Sequence, residues 1–219
     1  LSSAASDVYK RQGETIALVG ASGGGKTTIC HLIPNFYQPT SGTIKIDGIN
    51  ISDISLNALR KNIGFVQQDV FLFTGSIKDN IQYGKPDATD KDIISASKKA
   101  NIYDFIMSLP NKFDTQIGER GVKLSGGQKQ RISIARAIAR DPEIYIFDDS
   151  FSALDYKTDY ILRRELKKYT STSTNIIVAQ RIGTIINSDM IIVLDKGVVV
   201  GKGTHKELSL IHISEPTRH

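Results

Sequence analysis

The sequence has very little cysteine and no long apolar run. Its single cysteine, Cys30, excludes an internal disulfide framework and a CxxC metal site, and it fits a reducing compartment. We interpret Cys30 as a small buried residue on a helix. The longest apolar run, Met190 to Leu194, is far below the roughly 18–20 residues that cross a bilayer. A signal peptide is also lacking, so we expect the chain to be soluble by itself.

The net charge is mildly basic and dispersed. The 219 residues carry a formal charge of +5, and the pI is near 9.2. This balance suits a polyphosphate ligand, whereas the lack of a basic cluster argues against nucleic acid as a partner. With 40% hydrophobic and 23% charged residues, the composition is that of one soluble globular domain, or of one domain with a subdomain.

Both ends of the chain resemble translated adapter sequence. Residues 2–12 read SSAASDVYKRQ and residues 208–218 read LSLIHISEPTR, as in-frame translations of transposase-type sequencing adapters would. The alternative is a natural linker and a natural C-terminal segment. We expect segments 1–12 and 208–219 to be non-native, which leaves one domain over residues 13–207, truncated at its N-terminus.

Short apolar strands alternate with helices along the rest of the chain, which predicts a parallel sheet flanked by helices. The turn at Asp47-Gly48 predicts a hairpin in a partial antiparallel sheet. Polar helices with apolar spacing predict a helical subdomain from about residue 70 to 130. The other predicted elements are strands at 15–19, 63–66, 144–147, 176–179 and 190–194, and helices at 26–33, 132–139 and 157–169.

A glycine-rich loop follows the first predicted strand. Residues 20–27, GASGGGKT, match G-x-x-x-x-G-K-[ST] between a strand and a helix. Glycines let backbone N–H groups surround phosphate oxygens at a helix N-terminus, Lys26 reaches the β- and γ-phosphates, and Thr27 offers its hydroxyl to Mg²⁺. This motif alone predicts a nucleoside triphosphate site. The predicted ATP-binding residues are Gly20, Ser22, Gly23, Gly25, Lys26, Thr27 and Thr28.

Two carboxylates end the apolar strand at residues 144–147. An acid at the tip of a buried parallel strand faces the ligand crevice, so Asp148 is a candidate for holding Mg²⁺, through water. Asp149 is a candidate for orienting or deprotonating the attacking water. Two acids at a strand end can also act only as solubilising residues, and the phosphate loop favours the functional interpretation.

The segment Leu124-Ser125-Gly126-Gly127-Gln128 directly precedes the predicted helix, which from here is placed at 129–139. Here the sequence resembles the nucleotide-binding domain of the ABC transporter superfamily, whose signature is LSGGQ. The order of the phosphate loop, the signature and the acidic strand makes the resemblance specific, and it covers essentially all of residues 13–207. In that family Ser125 and the glycine amides contact the γ-phosphate of ATP bound to the other subunit of a head-to-tail dimer.

The resemblance implies further roles. Gln68, in the segment VQQD, corresponds to the glutamine that contacts Mg²⁺ and couples to the membrane domain, which implies Thr27, Gln68 and Asp148 as the metal site. Asp155, in SALD, corresponds to the loop that crosses the dimer interface. Residues 73–81 and the segment Thr115–Gly121, which reads TQIGERG, resemble the exporter branch, although a charged surface turn is the alternative for the latter.

Two positions depart from the family pattern. Asp149 stands where the family has the catalytic glutamate, and Gln180 stands where it has the switch histidine. Aspartate is one methylene shorter, which would leave its oxygens roughly an ångström farther from the water. Glutamine donates a hydrogen bond but cannot become a cation. The catalytic candidates are thus Asp149, Gln180 and Gln68, and the pair of substitutions predicts slow hydrolysis beside an intact signature.

We therefore expect an α/β protein with a RecA-like P-loop ATPase core. The resemblance implies that it binds ATP and Mg²⁺ and powers export as the weakly hydrolytic subunit of a heterodimer. Its partners would be a membrane domain, missing upstream in the same chain, and a second ABC subunit, at the cytoplasmic face of the plasma membrane. The alternatives are a homodimeric exporter ATPase with ordinary turnover and a non-transport ABC clamp protein.

Overall fold

A computed structural model of the chain describes residues 13–118, 121–179 and 182–214. The adapter-like segment 1–12 lies outside these described residues, as does the end of the C-terminal segment at 215–219. Residues 208–214 are described, and they continue a helix that begins at His205, across the domain boundary predicted at residue 207. The origin of both end segments stays a prediction.

The described residues form ten strands. In chain order they are β1 Thr15–Gly20, β2 Lys45–Ile46, β3 Ile49–Asn50, β4 Ile63–Val66, β5 Gly75–Ser76, β6 Gln116–Ile117, β7 Ile144–Asp148, β8 Thr174–Val178, β9 Met190–Asp195 and β10 Val198–Gly203.

The same part of the chain forms nine α-helices and two short 3-10 turns, the latter at Ile51–Asp53 and Lys112–Asp114. The α-helices are α1 Lys26–Leu32, α2 Leu56–Lys61, α3 Ile77–Gln82, α4 Asp90–Lys99, α5 Tyr103–Ser108, α6 Gly126–Arg140, α7 Tyr156–Tyr169, α8 Ile182–Ile185 and α9 His205–Ser214.

The main sheet has six strands in the order β10-β9-β1-β8-β7-β4. All neighbouring pairs from β9 to β4 are parallel, and β10 is antiparallel to β9. Since parallel strands end at the same edge of a sheet, the loop after β1 and the acids at the end of β7 lie on one side, with β8 between their strands. The predicted α/β architecture is confirmed, and the β2–β3 hairpin supplies the partial antiparallel sheet.

Side chains alternate between the two faces of the sheet and build two apolar cores. On β7, Ile146 packs with residues of β1 and α1, whereas Tyr145 and Phe147 pack with α6 and the helical subdomain. Alternation of this kind is the period of two that a strand imposes. Because both faces of the sheet are buried here, the sequence of β7 is an unbroken apolar run up to Asp148. That run brings a carboxylate to the edge of the sheet.

The helical subdomain is made by α3 to α5 and packs against α6. Of the apolar residues whose spacing predicted a helix here, Ile93, Ala96 and the C-cap residue Ala100 are buried, whereas Ile94 is only partly buried. Capping boxes begin α3 at Ser76 and α4 at Thr89, where each hydroxyl accepts from a backbone N–H three residues later. The subdomain also contains the short β5–β6 pair, which the sequence reading did not predict.

Helix α6 and strand β10 differ from the sequence predictions. Helix α6 begins at Gly126, three residues before the start predicted at Lys129 and six before the apolar stretch at 132–139, because Ser125 caps it. Strand β10 was not predicted at all. The two-residue turn before it holds Lys196 at φ 48° and Gly197 at φ 81°, a hairpin geometry that lysine seldom adopts. The Lys-Gly pair was the available signal for this hairpin.

Candidate functional site

The phosphate loop runs from the end of β1 to the start of α1. Its backbone depends on glycine at both ends. At Gly20, with φ 139°, a Cβ atom would overlap the carbonyl oxygen of Leu194 on the neighbouring strand β9. Gly25 precedes α1 with φ 95°, a left-handed conformation that side chains disfavour. The glycines therefore shape a loop that opens at the carboxyl edge of the sheet.

Lys26 folds back over this loop and is largely buried. Its ammonium group donates to the carbonyl oxygens of Gly20 at 2.9 Å and Ala21 at 2.7 Å. The other predicted ATP-binding side chains, those of Ser22, Thr27 and Thr28, are exposed around it. The arrangement places one cation beside a turn of backbone N–H groups at a helix N-terminus, which is the chemistry that binds a polyphosphate.

Thr27 and Asp148 are brought together although 121 positions separate them. The Thr27 hydroxyl donates to Asp148 Oδ1 at 3.1 Å. Asp148 is only 2% exposed. Burial raises the pKa of the Asp148 carboxyl, and the Thr27 hydrogen bond and the charges of His31 and Lys26 oppose that rise. A buried carboxylate held in this way is a ready partner for a cation.

The oxygen atoms at this point fit Mg²⁺. A small hard cation prefers carboxylate, hydroxyl and phosphate oxygens and keeps several waters. Asp148 and Thr27 present such oxygens 3.1 Å apart, next to the phosphate loop. When bound, Mg²⁺ would supply charge neutralisation for phosphate oxygens. Thr27 and Asp148 are the residues of this chain that would hold it.

The raised pKa of Asp148 leads to a stability prediction. The pKa of Asp148 is higher in the folded chain than in the unfolded chain, where it has the ordinary value of an aspartate. The folded state therefore loses stability as pH rises from that ordinary value through the folded-state pKa. We therefore expect Asp148→Asn to raise the melting temperature of the nucleotide-free chain at pH 7, by about 2–4 °C for each kcal/mol relieved.

Thermal unfolding between pH 4 and pH 8 measures this effect. The advantage of the Asp148→Asn chain should shrink toward pH 4, where the carboxyl of the unmodified chain takes up its proton. Asp141→Asn, at an exposed left-handed position, is the matched control and should leave the curve unchanged. A lower melting temperature for Asp148→Asn at pH 7 would contradict the burial argument.

Asp149 lies at the same edge, with a fixed backbone. Its N–H donates to the carbonyl of Val178 at 3.2 Å, and its own carbonyl accepts from the Ser152 hydroxyl at 2.9 Å. The residue is 8% exposed and has φ 46°, a left-handed conformation that aspartate tolerates better than most residues. Hydrogen bonds on both sides thus fix the backbone from which the short side chain extends.

Of the other two predicted catalytic residues, the structure describes Gln68 but not Gln180. Gln68 is exposed, on the loop that follows β4, and β4 pairs directly with β7. Gln68 therefore lies on the loop after the strand next to β7, the strand that ends at Asp148. Gln180 lies outside the described residues, and so do Glu119 and Arg120 of the segment Thr115–Gly121.

The signature residues form the exposed N-terminus of α6. The Ser125 hydroxyl accepts from the Gln128 N–H at 3.3 Å, and Gln128 Oε1 accepts from the Ser125 N–H at 2.8 Å, which completes a capping box. Leu124 is buried in the core below. A Cβ atom on Gly127 would lie 3.3 Å from the carbonyl of Ala153, so the signature packs closely against the SALD loop. Gly126 is exposed.

Asp155 ends the SALD loop as the N-cap of α7. Its carboxylate accepts from the Thr158 N–H at 2.9 Å. Hydrogen bonding with the Thr158 side chain, and then with its backbone, lowers the pKa of Asp155. The residue is exposed, beside the signature helix. The sequence reading did not identify this capping role, although an aspartate directly before an amphipathic helix is its usual signal.

Sequence reasoning also missed two groups near the acids. His31 on α1 contributes a charge that acts on Asp148, and its ring packs with Phe36 and Phe65. Ser150 is fully buried directly after Asp149. Neither residue belongs to the contiguous motifs, so the pattern of residues alone did not single them out.

Comparison with known proteins identifies the family of the chain. The family model described as ABC transporter matches residues 5–152, which is more than half of the chain. The chain belongs to the ABC transporter family. It contains the phosphate loop, the acidic strand and the signature of an ABC ATPase domain. Among the described residues, no helix is both long enough and apolar enough to cross a membrane.

Two relatives in the ABC transporter family come from Staphylococcus aureus and are named as multidrug export ATP-binding/permease proteins. The protein of strain NCTC 8325 is 52% identical and that of the bovine strain RF122 is 51% identical, each over 197 residues. A solved structure, of a bacterial Atm1-family ABC exporter with ATP bound, is similar with a TM-score of 0.87 and 43% identity.

The chain spans about a third of the length of these proteins. The alignments cover 90% of this chain and 34% of each Staphylococcus aureus relative. The structural match covers 93% of this chain and 35% of the exporter chain. The similarity thus extends over nearly all of this ABC domain but over a minor part of each longer protein.

Proposed function

We propose that this ABC domain binds ATP with Mg²⁺ and drives export through a membrane domain. The contact between Thr27 and Asp148 is the observation that carries the proposal, because it joins the phosphate loop to the acidic strand at one edge of the sheet. In this site Lys26 neutralises the β- and γ-phosphates, the loop amides surround them, and Thr27 and Asp148 hold the metal ion. Gln68 would contact the metal ion from the loop that follows the adjacent strand β4.

The signature serves a second ATP molecule, bound to another subunit. Its residues lie at the exposed N-terminus of α6, whose partial positive charge favours a phosphate. In a head-to-tail dimer Ser125 would contact the γ-phosphate of the ATP held by the partner, and the loop ending at Asp155 would lie at the interface. The support is the exposure of this helix end together with its packing against the SALD loop.

We further propose that the chain is the weakly hydrolytic subunit of a heterodimer. Asp149 is short and its backbone is held by Val178 and Ser152, so its carboxylate is poorly placed to act as a general base. Gln180 would replace an imidazole with a group that cannot carry charge. The intact signature would complete the efficient site of a partner that has glutamate and histidine at the matching positions.

The membrane domain is proposed from the longer relatives. Proteins named for multidrug export carry an ATP-binding and a permease part, and this chain corresponds to about a third of their length, as the 34% coverage indicates. Coupled to such a domain, the ATPase would work at the cytoplasmic face of the plasma membrane. Gln68, next to the site and exposed, is the residue that would transmit nucleotide binding to it.

An asymmetry experiment tests the heterodimer proposal. The chain is mixed with a family member that has glutamate and histidine at the two divergent positions, and steady-state phosphate release is measured. Asp149→Asn in this chain should lower the rate by less than about twofold, since this site contributes little. Ser125→Arg should lower the rate by about tenfold or more, because it blocks the helix N-terminus facing the partner's ATP.

Ser95→Arg, which adds the same side chain at an exposed position of α4, is the matched control. Thermal unfolding of each variant separates loss of the Ser125 cap from loss of hydrolysis. If Asp149→Asn removes most of the phosphate release, this chain contains the working site and the heterodimer proposal is wrong. Ordinary turnover by this chain alone would instead favour a homodimer.

A further inference from the structure

Two consecutive backbone carbonyls lead into Gln68, and each accepts a hydrogen bond from a buried side chain. The Ser150 hydroxyl donates to the carbonyl of Val66 at 2.8 Å. The Gln130 amide donates to the carbonyl of Gln67 at 3.3 Å. Ser150 is 0% exposed and Gln130 is 2% exposed. The main chain is therefore held at both residues that come directly before Gln68.

The Ser150 contact joins Gln68 to the acidic strand. Ser150 follows Asp149, whose left-handed backbone turns the chain away at the end of β7. The hydroxyl also lies 3.4 Å from the carbonyl of Asp148, but its single proton favours Val66 at 2.8 Å. This hydrogen bond therefore connects Ser150, the residue after the two acids, to Val66, the last residue of β4.

The Gln130 contact joins the same segment to the signature helix. Gln130 lies in the second turn of α6, close behind the signature residues. A buried amide without a partner costs about 1–3 kcal/mol, so a buried glutamine that reaches a loop carbonyl specifies the distance between α6 and that loop. Since the bond crosses from α6 to the end of β4, the position of Gln67 depends on the helix that carries Ser125.

We propose that Ser150 and Gln130 are positioning residues that orient Gln68 toward the metal and phosphate site. The proposal rests on the proposed function, in which Gln68 contacts the metal ion. With Val66 and Gln67 fixed, the Gln68 side chain starts from a set backbone position and loses less conformational freedom when ATP and Mg²⁺ bind. Without the two hydrogen bonds, the Gln68 side chain would lose more conformational freedom on binding. That loss would reduce the part of the ATP affinity that depends on Mg²⁺.

A purely structural role makes a different prediction. If the two bonds only stabilise the fold, their removal would lower the melting temperature without a selective effect on Mg²⁺-dependent binding. If they position Gln68, their removal would act on that part of the affinity and would have no effect once Gln68 itself is shortened. The ratio of ATP affinities with and without Mg²⁺ separates the two cases.

The test uses the whole 219-residue chain and ATP titrations in the presence of Mg²⁺ and of EDTA. Ser150→Ala should reduce the ratio of the two affinities about three- to tenfold, the worth of one hydrogen bond, with affinity in EDTA unchanged. Gln130→Met, of similar length but without the amide, should act in the same direction. Ser97→Ala is the matched control, since Ser97 is also 0% exposed and donates to a backbone carbonyl, that of Ile93, at 2.7 Å.

A double-mutant cycle with Gln68→Ala completes the test. In the Gln68→Ala background, Ser150→Ala should leave the affinity ratio unchanged. An equal loss with Mg²⁺ and with EDTA, or a loss that persists without the Gln68 side chain, would overturn the inference while the proposed function stands. Absence of any Mg²⁺-dependent ATP binding by the unmodified chain would overturn the proposed function itself.

Discussion

Replacing Lys26 by methionine should weaken ATP binding by about 100-fold or more. A hydrogen bond to a charged group is worth about 1.5–3 kcal/mol, and Lys26 is proposed to serve two phosphates. In the structure its ammonium group is already aligned at the loop by the carbonyls of Gly20 and Ala21. Both of these residues are exposed, so water can replace the lysine there and the fold should lose little stability. Equilibrium titration with ATP and Mg²⁺ measures the affinity.

Two further variants make the Lys26 result specific. Lys45→Met removes a charge from an exposed residue of β2 and should leave the affinity within about twofold, because salt screens distant surface charges. Lys26→Arg keeps the charge, but its planar guanidinium cannot replace a compact ammonium group, so it should recover only part of the binding. Equal losses for Lys26→Met and Lys45→Met would mean that the loop is not the phosphate site.

Lengthening Asp149 to glutamate should raise the rate of ATP hydrolysis by about 10- to 100-fold. General-base catalysis supplies about 10²–10⁴-fold when the base reaches its proton, and the added methylene restores roughly an ångström of reach. A forward shift of the backbone would have to break the hydrogen bonds with Val178 and Ser152. Phosphate release at saturating ATP and Mg²⁺ measures the rate, and addition of Gln180→His should raise it further.

The backbone of Asp149 requires a matched control. At φ 46° glutamate is less well tolerated than aspartate, which should cost about 1 kcal/mol of stability. Asp141→Glu places the same change at φ 53° on the exposed end of α6, and it should show the stability cost without a change in hydrolysis. Asp149→Asn should stay at the low rate of the unmodified chain. A large loss on Asp149→Asn would show that the aspartate already acts as an efficient base.

Local sequence was sufficient for the elements that carry the motifs. The strand before Gly20, the helix after it and the strand ending at Asp148 were predicted to within a residue or two. The two strands are apolar runs that end at a glycine or at acids, and the helix is closed by Pro34, so short-range signals and burial agree. Strand β10 was missed because it is half exposed and follows a turn whose lysine is in an unfavourable conformation.

Other features depend on pairs of residues far apart in the chain. Thr27 and Asp148 are hydrogen-bonded although 121 positions separate them in the sequence, and Ser150 and Val66 are hydrogen-bonded across a separation of 84 positions. Motif reading assigned Thr27 and Asp148 to Mg²⁺ from the phosphate loop and the end of the acidic strand, and the family resemblance added Gln68. It contained no information on Ser150, Gln130 or the effect of His31 on Asp148. These side chains act through the register of β4, β7 and β1, which no local pattern specifies.

The sequence by itself determined the α/β class, the phosphate loop, the acids and the signature, because each is a contiguous pattern with its own local geometry. Only the tertiary structure decided that Asp149 is held with φ 46°, and that the chain before Gln68 is tied to both the acidic strand and the signature helix. The physical reason is that hydrogen bonds between distant segments form only after the parallel strands have paired and α6 has packed against them.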